Sequence, residues 1–111
     1  MRSTKPNVAK SGREQQYSDP PLLILASLAG GPKHGHAMIE DIVLLCGTRL
    51  GPGTLYGAIA RLEQQQLIEP LPAEERRQPY CITAKGVRVL RERLSILHRF
   101  SKTGLERLAA S

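Results

Sequence analysis

The sequence predicts a mainly α-helical domain with one small β-hairpin, and three observations predict it. Aliphatic residues recur at helical spacing in separate stretches ahead of residue 65. Two short β-prone runs then flank a tip rich in proline and charge. A last helix, from about Ala84 to Ala109, then carries an apolar seam from Val87 to Leu108.

Each element carries its own start and stop signals. Ser18 or Asp19 ahead of Pro20-Pro21 supplies a side-chain acceptor and a fixed φ for a first turn, so the first helix is predicted from about Pro20 to Ala29, ending at Gly30-Gly31-Pro32. Met38, Ile39, Ile42, Val43, Leu45 and Cys46 form a stripe wide enough for a mostly buried second helix from His36, closed by Gly47. A third helix starts at Pro52-Gly53-Thr54. It places Leu55, Ile59 and Leu62 inward and Tyr56, Gly57, Ala60, Arg61 and Gln64 outward.

Leu67–Leu71 and Tyr80–Thr83 read as the two strands of a hairpin, and Pro70 and Pro79 predict that both are edge strands. Thr83 caps the last helix. In it Val87, Leu90, Leu94, Leu97, Ser101, Gly104 and Leu108 repeat at steps of three and four. Ile96, Phe100 and Leu105 widen this seam, so the helix is expected to pack both on its own domain and on a second copy. Residues Val87, Leu90, Leu94, Leu97, Phe100, Leu105 and Leu108 are the expected dimerisation set.

Composition narrows the function. In 111 residues, 16 Lys and Arg against 10 Asp and Glu give a net charge of +6, which favours a polyanionic partner. Without Trp and with one Phe and three Tyr, the chain lacks the stacking rings of a single-strand binder. Arg2, Lys5, Lys10 and Arg13 among small polar residues predict a flexible basic arm over residues 1–16, followed by a DNA-binding domain over 17–83 and a dimerisation helix over 84–111.

The longest apolar run, Leu22 to Ala29, is too short for a bilayer, and two widely spaced cysteines fit a reducing cytoplasm. Cys46 and Cys81 are expected to be small buried hydrophobes. His34 and His36 stand near no paired Cys or HExxH spacing, so no metal or other cofactor is expected. No catalytic triad, phosphate loop or carboxylate pair sits on a recognisable frame, which argues against an enzyme.

Helix, helix, turn, helix, hairpin, helix is the order of a winged helix-turn-helix, whose third helix enters the major groove of double-stranded DNA. The start of that helix offers free amides and the positive end of the helix dipole. Pro52, Gly53, Thr54, Tyr56, Gly57 and Arg61 are therefore the expected recognition residues, Arg76 and Arg77 the wing contacts, and Lys33 and Arg49 supplementary phosphate contacts.

The segments HGHAMIEDI from His34, LGPGTLYGAIARLE from Leu50, LIEPL from Leu67 and RRQPYCITAKG from Arg76 together resemble PadR-like regulators across residues 20–108. The resemblance implies a winged-helix domain, a single dimerising C-terminal helix, and a repressor released by a small molecule or stress signal. Where that family commonly has Gly before the LI of the first strand, this chain has Gln66. An effector is expected between the dimer helices and the domain cores, lined by Phe100, Leu97, Tyr17 and Leu25. The competing readings are a winged helix used for protein assembly and an architectural protein that binds DNA without sequence preference.

Overall fold

The structure, a computed structural model, describes residues 19–111. The expected basic arm, Tyr17 and the alternative cap Ser18 lie outside them. The elements are α1 (Pro20–Ala29), β1 (Lys33–His34), α2 (Gly35–Cys46), α3 (Pro52–Gln64), β2 (Ile68–Pro70), β3 (Pro79–Ile82) and α4 (Ala84–Ala110). This is the winged helix-turn-helix architecture with a long terminal helix.

The helix starts follow from local chemistry. Asp19 accepts from the Leu22 amide through Oδ1 at 3.3 Å, and the two prolines occupy the first turn of α1, where amide donors have no helical partner. Gly47 ends α2 at φ 77°, a left-handed cap that glycine adopts without a Cβ penalty. Thr83 caps α4 by accepting from the Gly86 amide at 3.0 Å.

One aliphatic core joins α1, α2, α3 and the sheet. Leu22, Ile24, Leu25 and Leu28 meet Met38 and Ile42 of α2, Leu55, Ile59 and Leu62 of α3, and Ile68 of β2. Buried Ser27 donates to Asp41 at 2.7 Å, tying α1 to α2 through a satisfied polar pair.

The sheet corrects the expected two-stranded hairpin. Its order is β1-β3-β2, all antiparallel, with Lys33 opposite Tyr80 and Ile68 opposite Ile82. Strand β3 is thus central and not an edge. Pro79 is tolerated because it is the first residue of β3, where its carbonyl accepts from the Leu71 amide and no ladder donor is required of it.

The second helix is also less covered than its stripe implies. Met38, Ile39 and Ile42 are buried, whereas Leu44, Leu45 and Cys46 are exposed, because α2 runs past the edge of the core by its last turn. Cys81 is half-buried, so neither cysteine is the buried hydrophobe expected. Partial burial and the Glu69 carboxylate, 3.8 Å from its Sγ, push the Cys81 thiol up, which keeps it protonated and a poor nucleophile at neutral pH.

The departure at Gln66 has a visible cost. Helix α3 ends in a Schellman arrangement: the Leu67 amide donates to the Leu62 carbonyl and the Gln66 amide to that of Glu63. Gln66 stands in the left-handed region at φ 64°, where a side chain is strained. Gln66→Gly is expected to stabilise the domain by about 0.5–1 kcal/mol, read as a higher urea midpoint with an unchanged slope.

Candidate nucleic-acid interface

The start of α3 is open. Gly51 is its N-cap and supplies no side-chain hydrogen bond, and Pro52 contributes no amide. The amides of Gly53 and Thr54 therefore point outward from an exposed, sterically bare turn, in the positive end of the helix dipole. Gly51 and Gly53 have nothing within 4 Å of where a Cβ would stand, which fits a surface awaiting a large ligand.

Tyr56 is half exposed, and its ring lies so close over Gly35 that a Cβ at that glycine would overlap the phenol. Gly35 thus lets the recognition helix press against the start of α2. Tyr80 of β3 stands behind it, its hydroxyl pushed up by burial first, then by the charge of Glu63 and by Tyr56. Arg61 lies in the last turn of α3, yet its guanidinium folds back along the helix, with Nη1 3.9 Å from the place of a Gly57 Cβ. Gly57 leaves that path clear, so a residue in the last turn of α3 carries its charge back toward the helix start, along the side of the helix that holds Thr54 two turns earlier.

The wing tip closes tightly, with Glu74 and Arg77 exchanging both backbone hydrogen bonds at 2.9 and 2.8 Å. Glu75 takes φ 56° in that turn. Arg76 and Arg77 are exposed, and Arg77 turns back so that Nη1 is 3.3 Å from His34 Nε2. A cleft of about 290 Å³ separates wing from helices, lined by His34, Gly35, His36, Tyr56, Arg76 and Arg77 among others. Sequence spacing does not group His36 with Arg77; the antiparallel pairing of β1 with β3 brings them to one cleft.

Two expected phosphate contacts fare differently. Arg49 is exposed and pairs loosely with Glu40 at 3.8 Å, which leaves its charge on the surface. Lys33 departs from expectation: its ammonium donates to the carbonyls of Ser27 and Gly31 and lies 3.8 Å from Asp41. That cation neutralises the end of α1 and is committed to the fold. Among the described residues no group of three His, Cys, Asp or Glu could hold a metal, and His34 instead caps α2, accepting from the Ala37 amide at Nδ1.

The expected dimerisation residues divide along α4. Leu90 is buried in the domain's own core and Val87 is half-buried beside it, so these two do not belong to a free seam. Beyond them Leu94, Leu97, Phe100, Leu105 and Leu108 are exposed, as is Ile96. The 27-residue helix is about 40 Å long, and among the described residues its outer half is left uncovered.

Residues 24–92, more than half of the chain, match the transcriptional regulator PadR-like family. The chain belongs to this family. PadR proteins are transcription regulators, and the chain carries the winged-helix domain of that family. A PadR family transcriptional regulator from Eggerthella lenta is 27% identical, with a TM-score of 0.70 over 92% of this chain and 88% of that one. A second, from hypervirulent Clostridium difficile, is 23% identical with a TM-score of 0.70, covering 80% of this chain and 97% of its own; it bears on the fold alone. An uncharacterized 37.1 kDa protein in a transposon of Streptomyces fradiae is 44% identical over 84 residues. Those residues are 76% of this PadR chain but 24% of that protein, so the likeness spans about a quarter of the relative. Among the described residues no helix is long and apolar enough to cross a membrane.

Proposed function

We propose that this PadR protein is a homodimeric repressor that binds a near-palindromic double-stranded operator and releases it when a small molecule binds. The observation that carries the reading is the exposed, uncapped start of α3, with no acidic residue in its first turn, beside a cleft where Tyr56 meets the wing arginines Arg76 and Arg77. Thr54 and Tyr56 suit phosphate oxygens, Arg61 suits the O6 and N7 edge of guanine, and Arg76 and Arg77 follow the flanking backbone or minor groove. Arg49 adds long-range charge. Pro52, Gly53 and Gly57 serve by being small.

The exposed outer half of α4 supports pairing with a second copy, which sets two recognition helices about 34–36 Å, or a multiple of that, apart. An effector suits the groove between the end of α1 and α4 better than the lining expected from sequence. Leu25 is buried in the core, and Leu97 and Phe100 do not line the groove. Ala29, Val87, Leu90 and Leu94 supply apolar walls with Arg91 and His98 at the edge, around about 480 Å³, a size that takes a small organic anion.

Selection of bound duplexes from a random pool at two salt concentrations tests this function. An inverted repeat is the expected product; binding without a motif would instead mark an architectural protein, and absence of binding a protein-assembly module. On the selected operator Arg61→Ala is expected to lose about 1–3 kcal/mol relative to random duplex. An equal loss on every sequence would make Arg61 a phosphate contact.

A further inference from the structure

We infer that the cleft between the wing and the start of α2 is a seat for one DNA backbone phosphate, with His34 as the residue that holds it. This rests on the reading of the protein as a duplex-DNA regulator and adds a contact outside the recognition helix and wing tip.

The argument starts from the two nitrogens of one ring. His34 Nδ1 accepts from the Ala37 amide at 3.4 Å, and Nε2 lies 3.3 Å from Arg77 Nη1. A neutral imidazole has one N–H and one acceptor nitrogen, and a guanidinium has donors only. With Nδ1 accepting as the helix cap, the hydrogen is on Nε2, so Nε2–H and an Arg77 N–H stand side by side, donor beside donor. An anionic oxygen between them accepts from both and turns an unfavourable approach into two charge-assisted hydrogen bonds.

The surroundings fit that occupant. The cleft is lined by the side chains of His34, His36, Tyr56, Arg76 and Arg77, and no carboxylate lines it. Glu40 does not line it but lies 3.9 Å from His36 Nε2 and 3.8 Å from Arg49, so His36 is already partnered and the seat rests on His34, Tyr56 and Arg77. The Tyr56 hydroxyl, held over Gly35, offers a further donor at the cleft wall. Donors from β1, α3 and the wing thus converge, and their spacing is fixed by the pairing of His34 with Pro79. A phosphate seated there bridges wing and recognition helix, the two parts that must hold one register on the duplex.

His34→Asn separates this role from capping. Asn is among the best N-cap residues, so the Ala37 amide keeps its acceptor, but the shorter side chain leaves the cleft without the Nε2 donor. The expected result is an unchanged melting temperature and an operator affinity lowered roughly three- to tenfold, with the log K against log salt slope unchanged because the neutral imidazole carries no charge to the phosphate. His34→Ala serves as the stability control, since it loses both the cap and the donor. Wild-type affinity in His34→Asn would overturn the phosphate seat while leaving the regulator intact. A wild-type protein that binds no duplex at any salt would remove both.

Discussion

Phe100→Glu is expected to convert the protein from a particle of twice 12.2 kDa to one of 12.2 kDa in sedimentation, and to weaken operator binding by about 100-fold or more. Phe100 is 75% exposed in the single chain and touches none of the domain core, so the substitution leaves the winged helix folded. In the proposed dimer its ring is buried, an interaction of about 1.5–3 kcal/mol that a carboxylate replaces with a desolvation cost. Affinity falls because each half-site is then bound alone. Leu94 is a poorer position for this test, since it also walls the groove against α1 and its loss disturbs the monomer. A Phe100→Glu protein that still sediments as a dimer would show that α4 is not the joining surface.

Gly86→Ala is expected to cost about 3 kcal/mol and to lower the melting temperature by roughly 10 °C or more. A Cβ at Gly86 would run into the carbonyl oxygen of Leu67 and into Ile82. That carbonyl has no room to yield, because it also accepts from the Thr83 amide at 3.1 Å and follows directly on the strained Gln66 turn. Calorimetry of the single variant is sufficient. A loss under 1 kcal/mol would mean that α4 can slide away from β2 without consequence for the core.

Much of the architecture was legible because its signals are local. Asp19 with two prolines, Gly47 and Thr83 each act within one turn, and each marks a helix end where the sequence places it. The features that escaped are long-range. Lys33 and His34 form too short a strand to show alternation, and their pairing partner lies beyond two helices. For the same reason the charge of Lys33 reads as a surface cation until Asp41 and the end of α1 are seen to enclose it. Leu45 and Cys46 continue the periodicity of α2 after the core has ended, since periodicity reports a face and not what covers it. In the site, Thr54, Tyr56, Arg61 and the wing arginines follow from their elements, whereas the junction of His34 with Arg77 exists only through the fold.

Thr83 does more than begin a helix. Its hydroxyl donates to the Gln66 carbonyl at 2.8 Å and accepts from the Gly86 amide, so the residue that ends the recognition helix and the one that launches α4 are joined through a single side chain. In a dimer held by α4 this joint makes the molecule a pair of calipers: a tilt of about 10° over an arm of about 20 Å shifts a reading head by about 3.4 Å, one base-pair step. A ligand that spreads the arms by that much would leave each head intact and folded, yet set to the wrong length of DNA.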